Sequence, residues 1–165
     1  KGIKVDPLYV TRIEDNKGNV ISTFTPQYTE IISEETSHKM LEMLKAVINE
    51  GTGVRLRYRY QFKGDIGGKT GTTQNNSDGW FIGVTPELVS GTWVGGEDRS
   101  IHFDNLREGQ GASMALPVWA LYMQKVYADE TLGYSDTLKF DIPEHLHKEY
   151  KECVSQAPVE DLLFN

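Results

Sequence analysis

The chain has 165 residues, 38% of them apolar, with 24 acids against 17 bases and a formal charge of −7; that composition suits one globular core and excludes a disordered chain. The acidic balance excludes a general binder of nucleic-acid backbones, which needs clustered Lys and Arg. No apolar run approaches the ~20 residues of a membrane span, and Lys1-Gly2-Ile3-Lys4-Val5-Asp6 has neither an initiator Met nor the apolar core of a signal peptide, so the chain reads as an excised piece of a longer protein.

In chain order, residues 8–24 predict a β-hairpin: Leu8-Tyr9-Val10-Thr11-Arg12-Ile13, a turn through Asp15-Asn16-Lys17-Gly18, then Val20-Ile21-Ser22-Thr23-Phe24. Ser33 is a natural helix cap with Glu34 and Glu35 in the first turn. Met40, Met43, Leu44, Val47 and Ile48 recur at helical spacing, predicting a helix over 34–50. Gly51 and Gly53 suit the left-handed or irregular backbone that follows a helix, and Arg55 to Phe62 is basic and aromatic without a clear period. Residues 66–73, 80–85 and 88–95 read as three strands. Their connections are too short for parallel pairing, so they form an antiparallel meander. Met114 to Tyr127 is apolar on nearly every side, as in a helix buried between layers, and Pro117 is expected to start or kink it. The fold class is α+β: a three-stranded antiparallel sheet packed with helices, plus the N-terminal hairpin.

Residues 136–165 hold seven acids and three Lys, a net of −4 that leaves −3 for residues 1–135, and read as an acidic tail. Cys153 is the single cysteine, so cysteine usage does not report the compartment. His145, His147 and Cys153 lack the paired spacing of a zinc site, and no metal or other cofactor is expected. Trp80, Trp93 and Trp119 read as core aromatics, Asp78 as a turn residue, and Glu97-Asp98-Arg99 as a solvated charge cluster.

The most informative stretch is Ile66-Gly67-Gly68-Lys69-Thr70-Gly71-Thr72-Thr73. A phosphate-binding loop would need Gly at the position of Lys63, and a helix directly after it. Here Gly64 is one residue too close, and Asn75-Asn76-Ser77-Asp78 makes a turn. As a strand, the residues put Lys69, Gly71 and Thr73 on one face and Thr70 and Thr72 on the other. Gly71 leaves room for a substrate backbone, and threonine hydroxyls near a lysine suit a carboxylate ligand. An ordinary edge strand guarded by Lys explains the same residues, so on local sequence both readings stay open.

The wider pattern resembles the C-terminal half of the transpeptidase domain of class A penicillin-binding proteins, the bifunctional peptidoglycan synthases. It is carried, in order, by Pro7-Leu8-Tyr9-Val10-Thr11-Arg12-Ile13-Glu14-Asp15, Gly18-Asn19-Val20-Ile21, Val47-Ile48-Asn49-Glu50-Gly51-Thr52-Gly53, Gly67 to Thr73, Asp78-Gly79-Trp80-Phe81-Ile82-Gly83 and Thr92-Trp93-Val94-Gly95. The family is identified by Ser-x-x-Lys, Ser-x-Asn and Lys-Thr-Gly motifs. Only the third occurs in these 165 residues, so the segment is expected to be inactive alone.

The resemblance implies a serine acyl-enzyme that cross-links D-Ala-D-Ala stem peptides of peptidoglycan and is trapped by β-lactams. It implies that Lys69 lends charge to the cleft and bonds the Ser-x-Asn serine. Thr70 and Thr72 bind the substrate carboxylate, the amide of Thr72 supplies half of the oxyanion hole, and Gly71 and Thr73 complete the substrate strand. It further implies a location on the outer side of the bacterial cytoplasmic membrane, a membrane anchor and a glycosyltransferase domain outside this chain, and an open sheet edge at 88–95 that allows edge-to-edge dimers. Two other readings are a non-catalytic binding module on the same scaffold and a β-lactamase-like serine hydrolase.

Overall fold

A computed structural model describes residues 1–146. The chain packs as two compact units, Lys1–Met40 and Leu41 onward, where composition suggests a single core.

In the first unit, β1 (Ile3–Val5) pairs antiparallel with β4 (Tyr28–Glu30), and β2 (Arg12–Glu14) pairs antiparallel with β3 (Val20–Thr23). The second pair is the hairpin foreseen at 8–24, with shorter strands and a register shift between Ile13 and Glu14. Its turn is set by one carboxylate. Asp15 accepts from the amides of Lys17 and Asn19 and from the Asn19 side chain, each at 2.8 Å, and Gly18 adopts φ +82°, a conformation open to glycine.

Helix α1 (Glu34–Asn49) begins in the first unit and ends in the second. The Ser33 hydroxyl accepts from the Thr36 amide at 3.2 Å, as its sequence position predicts. Gly51 and Gly53 follow, but neither has positive φ. Close packing explains them instead: a Cβ on Gly53 would lie 2.6 Å from Ile48 Cδ1, and one on Gly51 2.9 Å from Val47 Cα. The Arg55–Phe62 stretch contains the short helix α2 (Arg55–Tyr58). Its arginines serve the packing, Arg57 donating to the carbonyls of Phe62 at 2.9 Å and Gly64 at 2.8 Å.

The central sheet has the order β5 (Gly67–Thr72), β6 (Asp78–Val84), β7 (Val89–Gly95), antiparallel throughout, with Gly71 opposite Trp80 and Trp80 opposite Trp93. After it, α3 (Leu106–Gly109) is capped by Asn105, whose side chain accepts from the Glu108 amide at 3.0 Å. Helix α4 (Gly111–Ala128) then covers one face of the sheet. The fit is made by alternation in β6. Phe81 meets Trp119 edge-on with ring centroids 5.1 Å apart, while Gly79 and Gly83 flatten the positions on either side. A Cβ on Gly83 would sit 2.2 Å from the Trp119 ring. Ile48, Leu56, Ile66, Phe81, Leu116, Trp119 and Met123 are fully buried and form the core.

Helix α4 departs from the expected 114–127 in its start and from the expected burial on every side; of the two roles open to Pro117, starting the helix is the one that falls. The helix starts at Gly111, so Pro117 lies inside it, where it has no N–H for the carbonyl of Ser113 four residues back. Nor is it buried all round: Val118, Leu121 and Tyr122 are about half exposed, because among the described residues the sheet covers only its other side. The tryptophans also divide. Trp119 is buried and donates to the Ser90 hydroxyl at 2.7 Å, whereas Trp80 and Trp93 lie on the opposite sheet face, each 46% exposed.

The region marked by charge as an acidic tail starts with a docked segment. The Asp65 amide donates to Leu138 O at 2.8 Å, and the Asp65 carboxylate accepts from the Phe140 amide at 3.2 Å. His145 lies in a short 3-10 turn, Glu144–Leu146; His147 and Cys153 lie outside the described residues. Among the described residues no helix is long and apolar enough to cross a membrane, and no three metal-binding side chains cluster.

Candidate active site

Among the described residues β5 is a terminal strand of the central sheet, and its hydrogen-bonding directions follow from one bond. The Thr73 amide donates to Asp78 O at 3.1 Å, so Thr73 faces β6. Alternation then turns Gly71 and Lys69 toward β6 as well, and aims the backbone N–H and C=O of Thr70 and Thr72 at the open outer edge. That edge can accept an added strand.

The side chains follow the same period. Lys69 is exposed on the face shared with Ile82 and Trp80, and its Nζ donates to Thr70 O at 2.7 Å, capping a carbonyl of the open edge. Thr70 and Thr72 lie on the α4 face. The Thr72 hydroxyl accepts from the Gly111 amide at 3.0 Å, which docks the first turn of α4 on the strand. Arg55 reinforces that docking by donating to Ala112 O at 3.0 Å and to the Ser113 hydroxyl at 3.2 Å. The Thr70 hydroxyl is 2.9 Å from that of Thr52.

Gly71 differs from its glycine neighbours. Cβ atoms on Gly67 or Gly68 would press on Leu44, Phe81 and Ile48, whereas one on Gly71 would meet only Trp80 Cβ, at 3.3 Å. That contact is tight on the β6 side, but beyond the chain neighbours no other atom of the described residues lies within 4 Å, so Gly71 is less crowded than Gly67 and Gly68. Thr73 does not join Thr70 and Thr72: its hydroxyl accepts from the Asp78 amide at 3.1 Å, lies 3.2 Å from Asp78 O and 3.0 Å from the Ser77 hydroxyl, and closes the β5–β6 turn. Asp78 opens β6 in that same turn, and in the Glu97–Arg99 loop the Asp98 carboxylate accepts from the Ser100 amide at 2.8 Å.

Thr52 is the site neighbour that sequence reasoning passed over. It comes 18 residues before Thr70, and the only local signal is its position between two glycines. A separate apolar cavity of about 360 Å³, lined by Ser77, Val94, Ile101, Phe103 and Met114, opens on the β7 side and does not adjoin the outer edge of β5.

Comparison with known proteins places this geometry. Residues 1–95 match the penicillin binding protein transpeptidase domain. Penicillin-binding protein 1A of Aquifex aeolicus is 32% identical over 125 residues, which are 76% of this chain and 16% of that protein. Penicillin-binding protein 1A of Pseudomonas aeruginosa is 37% identical over 112 residues, 67% of this chain and 13% of that protein. Penicillin-binding protein 1B of Vibrio cholerae is 30% identical over 153 residues, 92% of this chain and 17% of that protein. The crystal structure of penicillin-binding protein 1A from Haemophilus influenzae shares the fold, with a TM-score of 0.65 at 24% identity over 87% of this chain and 26% of that one.

A three-stranded meander led by a Lys-Thr-Gly edge strand and backed by a C-terminal helix is thus part of a penicillin-binding transpeptidase domain, and the chain belongs to that family. Within the family its place is among the class A penicillin-binding proteins, of which it represents a segment.

Proposed function

We propose that this segment is one wall of the active site of a serine D,D-transpeptidase that cross-links peptidoglycan stem peptides and is inhibited by β-lactams. The observation that carries the reading is the outer edge of β5, unpaired among the described residues, where the amides of Thr70 and Thr72 point outward on either side of Gly71, which has no side chain. An extended D-Ala-D-Ala terminus adds to that edge as a strand. Its carboxylate meets the hydroxyls of Thr70 and Thr72 near the Lys69 ammonium. The Thr72 amide donates to the oxyanion formed when the nucleophilic serine attacks, a contribution worth about 3 kcal/mol of barrier. In the complete domain Lys69 turns from Thr70 O to the Ser-x-Asn serine, which leaves Thr70 O free to accept from the substrate backbone. Thr73 supports the strand through the turn instead of touching substrate.

The serine and the Ser-x-Asn pair do not occur in the 165 residues, so they are supplied by the rest of the protein. In this reading residues 1–135 are the C-terminal part of the transpeptidase domain and 136–165 its acidic tail. The whole protein works on the outer side of the cytoplasmic membrane, with its anchor and a glycosyltransferase domain elsewhere in its sequence. A non-catalytic module on the same scaffold would lack both upstream motifs.

Labelling with a fluorescent penicillin tests the proposal. The full-length protein is labelled covalently, Lys69→Ala abolishes labelling without altering the thermal melt, and the 165-residue chain alone is not labelled. Undiminished labelling of Lys69→Ala removes Lys69 from the site, and labelling of the isolated chain overturns the shared-site reading.

A further inference from the structure

Thr52 and Thr70 are far apart in sequence but their hydroxyls are 2.9 Å apart, with Thr52 itself exposed. A hydroxyl carries one proton and two lone pairs, so only one member of such a pair donates to the other. We propose that Thr52 is a positioning residue for carboxylate recognition: it donates its proton to Thr70 Oγ1, leaving the Thr70 proton free to point at the ligand. This rests on the assignment of Thr70 as a carboxylate ligand made above. With a carboxylate bound, Thr70 must donate outward, because an ionised carboxylate only accepts. The bond between the two threonines then runs in one direction, from Thr52 to Thr70. A lone Thr70 hydroxyl would instead rotate among several acceptors, and part of its binding contribution would be lost to that freedom.

The segment carrying Thr52 is fixed closely enough for this task. The Gly51 amide donates to Ala46 O at 3.1 Å and the Gly53 amide to Val47 O at 2.9 Å, tying both flanks to the end of α1. Neither glycine has room for a side chain on that surface: Cβ atoms would lie 2.9 Å from Val47 Cα and 2.6 Å from Ile48 Cδ1. Ile48 is fully buried and also packs against the Gly68 position of β5. The Thr52 loop and the strand bearing Thr70 are therefore braced by the same side chain.

The test uses the full-length protein and two ligands, a penicillin with its free carboxylate and the corresponding neutral methyl ester, with acylation followed as k2/K. Thr52→Val keeps the shape and removes the hydroxyl. It is expected to lower k2/K for the free acid by about five- to tenfold, mostly through K, while changing the ester less than about twofold. Thr52→Ser restores the free acid to near the wild-type value. Equal losses for both ligands mean a general structural defect and overturn the proposal. No loss with Thr52→Val, while Thr70→Val does weaken the free acid selectively, overturns the role of Thr52 and leaves the site reading standing. If Thr70→Val also has no selective effect, both fall together.

Discussion

Asp65 shows how much one partly buried carboxylate can organise. Burial favours its neutral form, but the Phe140 amide, Lys45 Nζ at 3.4 Å and Lys139 Nζ at 3.3 Å outweigh it and hold the carboxyl below its ordinary 3.8. A folded-state pKa below the unfolded one contributes stability that is present above the unfolded value. That contribution disappears as pH falls through the lower, folded one. Urea unfolding of wild type and Asp65→Asn should therefore show a stability gap near pH 6 that narrows as pH falls below the ordinary 3.8. A gap independent of pH would mean that the charge of Asp65 plays no part in it. At this scale the sequence discloses what is local. Ser33 as a cap, Asp15 with Gly18 in a turn, and the two faces of Lys69 to Thr73 all follow from residue type and spacing. Thr52 does not, because its meaning depends on a partner 18 residues away. The exposure of Trp80 and Trp93 was likewise hidden, since strand periodicity fixes which residues share a face but not what covers it.

Helix α4 and strand β6 are matched through small residues. The Gly79-Trp80-Phe81-Ile82-Gly83 run offers α4 a single large side chain between two flat positions, and Trp119 fills the space over Gly83. Gly83→Ala should destabilise the protein by about 2 kcal/mol, since the added carbon would lie 2.2 Å from a fully buried ring. Combining it with Trp119→Phe should recover part of the loss in a double-mutant cycle of chemical denaturation. If Gly83→Ala is neutral, close contact between Gly83 and the Trp119 ring does not limit the packing of α4 on β6. The apolar content of residues 114–127 makes the helix legible, but its first turn, Gly111-Ala112-Ser113, carries no such signal. That start is set by contact with Thr72. The pairing of β1 with β4 is hidden for a similar reason: both are three-residue strands, exposed throughout, and 22 or more residues separate their paired positions.

For the whole molecule, the decisive feature is that the central sheet ends on both sides in unpaired strands among the described residues. At β5 the open edge is the proposed substrate site; at β7 it is a liability. The Thr85 amide donates to Leu88 O at 2.8 Å, so Leu88, Ser90, Thr92 and Val94 face β6, and the backbone groups of Val89, Gly91 and Trp93 face outward. Val89, 65% exposed, shares a sheet face with the half-exposed Trp80 and Trp93, which adds an apolar surface beside the unsatisfied edge. Produced alone, the 165-residue chain should self-associate through β7 at concentrations of order 100 μM, where open edges find one another. Val89→Lys should suppress that association in sedimentation experiments. Its thermal melt should stay unchanged, because an exposed substitution rarely moves stability by more than about 0.5 kcal/mol. A chain that remains monomeric at that concentration, or a variant that associates as strongly as wild type, would show that the β7 edge is protected by the chain itself.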